Sequence, residues 1–103
     1  EAATPGNSAY ASAKAALWAL MRTTAEEVHE HGILVNGLIP GMTNTAIWPQ
    51  PRPDLQPPEA VYPTVKMLAT FGPDGPRGKV FFWEREYPMF LRTIPKGASL
   101  EYW

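Results

Sequence analysis

Tyr10-Ala11-Ser12-Ala13-Lys14 opens a run extending from Ser8 to His31, and the reading of this sequence turns on it. Residues four apart on an α-helix stand one above the other on the same face. In a helix, Tyr10 and Lys14 therefore present a phenol and an ammonium to the same place. Opposite unit charges about 4 Å apart attract by roughly 4 kcal/mol at an effective dielectric of about 20. An attraction of that size favours a phenolate and moves a tyrosine towards neutral pH. A phenol so placed gives and takes a proton under ordinary conditions, which is what acid–base catalysis requires. The spacing is also that of any amphipathic helix with one exposed lysine. Its meaning depends on what surrounds it.

Ala13, Ala16, Leu17, Leu20, Met21, Thr24 and Val28 recur at intervals of three and four. That period predicts one continuous helix from Ser8 to about His31, with these residues as its apolar stripe and Trp18 off it. Pro5-Gly6 turns the chain ahead of it, Asn7 or Ser8 is placed to cap its start, and Gly32 to close its end in a left-handed conformation. The alanines at 9, 11, 13, 15 and 16 favour the helix and let another backbone approach closely.

Ile33-Leu34-Val35-Asn36-Gly37-Leu38-Ile39 follows, an apolar run between Gly32 and Pro40-Gly41. Both of its faces are mostly apolar, as in a parallel strand covered by helices on two sides. The chain has few elements to cover such a strand, which predicts an association-prone edge. Pro40-Gly41-Met42-Thr43-Asn44-Thr45 then lies where open α/β sheets bind ligands, beyond a strand's carboxyl end. Trp48 to Pro58 is too rich in proline for a helix or a central strand. Pro58-Glu59-Ala60 starts a second helix with Ala60, Val61, Thr64, Val65, Leu68 and Ala69 inward, and Pro63 is tolerated in its first turn. Gly72 to Pro76 breaks the chain, Gly78 to Trp83 is rich in strand formers, and Glu84 to Trp103 has no assignable pattern.

At 103 residues the chain is one small domain or part of a larger one. A net charge of −1 offers no basic stripe, which argues against nucleic acid. The absence of cysteine removes disulfides and thiolate metal sites. His29-Glu30-His31 lacks the three or four converging ligands of a metal centre, so no metal is expected. No apolar run nears the ~20 residues that cross a bilayer. A cytoplasmic protein without membrane attachment is the expectation.

Taken in order, Tyr10-x-x-x-Lys14, the long helix, Val35-Asn36-Gly37-Leu38-Ile39-Pro40-Gly41 and Thr45 resemble the second half of a short-chain dehydrogenase/reductase. The resemblance runs over roughly residues 5 to 83. It implies an α/β fold, the C-terminal portion of a Rossmann-like doubly wound parallel sheet. Its order would be long helix, strand, loop, helix, strand, incomplete by itself. Residues 1–83 would form that part, with 48–58 as the substrate loop and 84–103 as a C-terminal tail. The implied activity is that of an NAD(P)-dependent oxidoreductase acting on a small alcohol or carbonyl, with NAD or NADP as cofactor. By the same resemblance Tyr10 is the acid/base, and Lys14 lowers its pKa and bonds the nicotinamide ribose. Pro40, Gly41, Thr43 and Thr45, with Tyr10 itself, would contact the nicotinamide end, while Ile47 and Trp48 cover the substrate. The family's habit also implies a homo-oligomer.

The family's glycine-rich turn, which holds the cofactor's pyrophosphate at a helix N-terminus, does not occur in this sequence. Its catalytic serine would fall ahead of Glu1, and Thr4, Ser8 and Ser12 are no substitutes. The expectation is thus a fragment that neither binds NAD(P)H tightly nor transfers hydride alone. The competing reading is a catalytically silent remnant or interaction module that keeps the helix and its packing surface.

Overall fold

Helix α1 spans Ser8–Glu27 in the computed structural model, which describes residues 5–88. The helix is shorter than its periodicity predicts. At Val28 it gives way to a 3₁₀ turn, His29–His31, closed by Gly32 at φ 74°. His31 N donates to Val28 O and Gly32 N to His29 O, the tightening by which a helix end satisfies its last carbonyls. Gly32 is the expected left-handed cap. The expected side-chain cap at the start is not made, because Asn7 lies at φ −110°, ψ 21° rather than in the extended region such a cap needs.

The inward face of α1 also differs from the expected stripe. Met21 and Ala25 are 8% and 0% exposed, whereas Leu17 and Leu20 are 49% and 63% exposed. The covered line runs through Lys14, Trp18, Met21, Ala25 and Val28. Because α1 is apolar around much of its circumference, its pattern admits two adjacent faces, and fit to the sheet chooses between them. A Cβ added at Gly37 would meet the Trp18 ring at 2.5 Å, and one at Gly78 would lie 3.7 Å from the Ala25 Cβ. Glycine makes room for Trp18, which therefore belongs to the contact.

Strands β1 (Gly37–Ile39), β2 (Val80–Phe82) and β3 (Arg85–Tyr87) form one sheet in that order. β1 and β2 run parallel with Gly37 opposite Val80, and β2 and β3 run antiparallel with Phe82 opposite Arg85. The sheet is mixed, where a parallel one was expected. β3 falls in the stretch without pattern: all its residues are exposed, so no apolar alternation marks it, and pairing with β2 alone makes it a strand. Trp83 turns the corner at φ 56°, a conformation rare for a bulky residue. The remainder of the expected tail lies outside the described residues.

β1 covers only the end of the predicted 33–39 strand, and Ile33 is 50% exposed. Asn36 explains the shortening. Its side chain accepts from Lys79 N at 3.1 Å and donates to Pro76 O at 2.9 Å, replacing ladder bonds. Gly78 N donates to Val35 O at 2.8 Å, and regular pairing begins where Gly37 N donates to Lys79 O at 2.8 Å.

A 3₁₀ turn, Pro58–Val61, leads into helix α2, Tyr62–Ala69, with Pro63 in the first turn as expected. Thr64 is its buried residue at 2% exposure, while Val65 is 45% exposed, so the buried stripe is narrower than predicted. Successive strand residues face opposite ways. Phe82 shares a cleft with Tyr10 and Trp18 of α1, whereas Phe81 meets Phe71, just past α2, with ring centroids 5.8 Å apart. Helix α1 therefore lies against one face and the segment just past α2 against the other, an α/β arrangement compatible with part of a Rossmann-like fold. The apolar core is Met21, Ala25, Val80 and Phe81. Among the described residues no helix is long and apolar enough to cross a membrane.

Candidate functional site

Tyr10 and Lys14 leave the first turns of α1 on one face, as their spacing requires. Lys14 Nζ stands over the Tyr10 ring, 5.6 Å from its centroid. The ring's negative face attracts a cation there. Tyr10 itself is 58% exposed.

The carboxyl end of β1 delivers the Pro40-Gly41 turn beside them. Gly41 takes φ 79°, which an L side chain rarely adopts, and a Cβ there would also touch the Phe82 ring at 3.4 Å. The loop beyond is fastened to itself. Gln56 Nε2 donates to Pro40 O and, at 3.0 Å, to Thr43 Oγ1, while Gln56 O accepts from Asn44 N at 2.9 Å. Thr43 Oγ1 donates to Gly41 O at 3.2 Å, and Trp48 Nε1 donates to Thr43 O at 2.8 Å. Asn44 Oδ1 accepts from Arg52 N at 2.9 Å, closing the proline-rich segment into a loop whose two ends touch.

The Arg52 guanidinium lies 5.0 Å from the Trp48 ring centroid and reaches Asp54 through two bonds of 3.0 and 2.8 Å. Those hydrogen bonds hold the Asp54 carboxyl below the usual carboxylate range and raise the Arg52 guanidinium above its ordinary value.

Two clefts adjoin at this point. The larger, of about 670 Å³, lies between α1 and β1 and is lined by Tyr10, Lys14, Trp18, Pro40 and Gly41 among others. The smaller, of about 500 Å³, lies between the loop and the start of the second helical segment, with Thr43, Thr45, Ile47 and Trp48 on its walls. Tyr10, Pro40, Gly41 and Met42 line both, so the phenol stands at the junction. Tyr10, Lys14, Pro40, Gly41, Thr43, Thr45, Ile47 and Trp48 each line one cleft or the other.

Sequence reasoning passed over Trp18, Met42, Phe82 and Gln56. Trp18 stands one helical turn beyond Lys14, and that spacing was a signal for it. Its Nε1 is buried without a hydrogen-bond partner. Gln56 had no such signal, since nothing local couples a glutamine among prolines to a turn many residues earlier.

A sequence model of the family described as short chain dehydrogenase matches residues 1–56, a stretch holding α1, β1 and the loop as far as Gln56. Comparison with curated proteins and with solved structures finds no match.

Proposed function

This chain belongs to the short chain dehydrogenase family, and on that premise we propose that it works as part of an NAD(P)-dependent oxidoreductase that interconverts a carbonyl and an alcohol. The observation that carries the reading is Tyr10 at the junction of two clefts, with Lys14 on the same helical face.

The residues of the larger cleft fit the nicotinamide end of such a cofactor. Lys14 offers an ammonium to ribose hydroxyls. The Pro40-Gly41 turn, without a side chain at Gly41 and pinned by Gln56, offers backbone at close range. The Thr43 hydroxyl is engaged inside the loop, so Thr43 shapes this edge, and Thr45 beside it carries the further hydroxyl. NAD(P)H supplies a hydride to the carbonyl carbon when bound. Tyr10 Oη gives its proton to the carbonyl oxygen, completing the alcohol, and takes the proton back in the reverse direction. Lys14 compensates the negative charge left on the phenolate. Carbonyl, hydride and proton sum to the alcohol, and the phenolate regains its proton from water before the next turnover.

The glycine-rich turn that holds a pyrophosphate is not among the 103 residues. Tight cofactor binding is therefore expected only when that turn is supplied beside this chain. Leu17, Leu20 and Ile33, 49%, 63% and 50% exposed, support a homo-oligomer.

The test joins the chain behind the glycine-rich half of a dehydrogenase of the same family and measures carbonyl reduction. Tyr10→Phe should lower turnover by about 10²–10⁴-fold with cofactor affinity retained. Full turnover in that variant would overturn the assignment.

A further inference from the structure

We propose that the smaller cleft takes an uncharged, flat, apolar carbonyl compound or alcohol, such as an aryl ketone, and that Trp48 is the residue that selects it. The proposal rests on the preceding reading only for which end of the ligand meets Tyr10.

Charge is the first argument. No aspartate, glutamate, lysine, arginine or histidine is among the described residues lining the smaller cleft, whose walls include Met42, Thr45, Ile47 and Val61. A carboxylate or phosphate entering it would lose hydration and meet no cationic side chain on its walls among the described residues, since Lys14 lies over the Tyr10 ring in the adjoining cleft. Arg52 is the nearest cation to Trp48, yet it does not line the cleft and both its bonds go to Asp54. Its charge is already compensated.

The second argument is the state of Trp48. An exposed indole ordinarily samples several rotamers, and fixing one on binding costs affinity. Here Nε1 donates to Thr43 O at 2.8 Å, the backbone N donates to Thr45 O at 3.3 Å, and the Arg52 guanidinium backs the ring from outside the cleft. The result is a flat wall held in place before a ligand arrives. Stacking on such a wall favours planar ligands. Around it stand Ile47, 84% exposed, and Met42, 60% exposed, apolar groups that a ligand would cover. Methionine adapts to an irregular outline. A volume of about 500 Å³ suits a small molecule.

The experiment records the indole and backbone amide ¹H–¹⁵N signals of the purified chain, with Trp48 assigned through Trp48→Phe, during titration with acetophenone, 4-acetylbenzoate and 2-octanone. Acetophenone should shift the Trp48 signal saturably. The carboxylate and the flexible aliphatic ketone should each bind about tenfold more weakly. Trp48→Phe keeps a flat ring and should retain most of the affinity, whereas Trp48→Ala should lose about tenfold, both read from the backbone amide signals of Met42 and Thr45 on the cleft wall, with the Trp18 and Trp83 indoles, which do not line it, as bystanders. Those two indole signals also report whether the variant is folded. If it is not, Ile47→Asp, at a position that packs against little, should weaken acetophenone similarly by placing a charge in the cleft. Equal affinity for the carboxylate, no saturable shift, or unchanged binding in both Trp48→Ala and Ile47→Asp would overturn the proposal. A flat titration with a working Tyr10 removes the substrate class alone, and unchanged turnover in Tyr10→Phe removes the reaction alone.

Discussion

The two halves of α1 meet the rest of the molecule in opposite ways. Towards its C-terminal end Met21 is 8% and Ala25 0% exposed, with Val80 of β2 at 1%. Towards its N-terminal end Tyr10 is 58% and Leu17 49% exposed, and a cleft of about 670 Å³ separates the helix from β1. Helical geometry is the same throughout, so the partner makes the difference. Ala25 faces Gly78, and two small residues let backbones come close. Near the other end long side chains, Lys14 and Trp18, line the opening to the Pro40-Gly41 turn. The packed half anchors the helix, and the open half presents side chains without burying them, which is how a rigid element serves a site.

The largest effect that separates the halves is Tyr10→Phe. Turnover in the assembled enzyme should fall by about 10²–10⁴-fold, while the unfolding midpoint stays put because the phenol is 58% exposed. A fall in both would show that the open end also carries stability. Met21→Ala probes the anchor. Truncating a buried methionine costs about 2–5 kcal/mol, a large share of the stability of a small domain, so the urea midpoint should drop steeply. An unchanged midpoint would erase the distinction between the halves.

Gln56→Ala reaches the open end from the loop. It removes two donors from the Pro40-Gly41-Thr43 turn, at about 0.5–1.5 kcal/mol each where the acceptor stays solvated. The Asn44 amide and Trp48 indole should exchange hydrogen faster, with the amides of Met21 and Ala25 unaffected. Uniformly faster exchange would mean that the loop and the anchor fold as one unit.

The smallest effect is with pH. Asp54 carries a pKa below its ordinary value because Arg52 hydrogen-bonds its carboxylate. Its contribution is present above the unfolded carboxylate pKa and is lost as pH falls through the lowered folded value. Both groups are well exposed, so only the loop should respond. The Trp48 indole signal should shift on acidification, and Asp54→Asn should abolish that dependence. A shift that persists in Asp54→Asn would assign it to another group.

Much of the site was legible because its pieces are local. Tyr10 and Lys14 share a face by the period of a helix, Gly32 and Gly41 take the positive φ that glycine permits, and Pro63 sits where a missing N–H does no harm. Position after a strand marked the loop as a place for a ligand, while the parts given to Thr43, Thr45, Ile47 and Trp48 came from the resemblance to the dehydrogenase family. None of these depends on a partner far along the chain.

Other features depended on distant partners and were missed or misread. Asn36 shortens β1 through bonds to residues 40 and 43 positions away, and β3 exists because β2 offers it an edge. Gln56 fixes a turn 16 residues upstream. The inward face of α1 was chosen by the empty space over Gly37, which admits the Trp18 ring. By itself the sequence determined the helix, its two chemical groups and the turn that faces them, since backbone geometry over one helical turn or one β-turn suffices for each. Tertiary structure alone decided which apolar face was buried, where the strands stopped and how the loop was tied. Those outcomes rest on steric fit and hydrogen bonds between segments that meet only when the chain has folded.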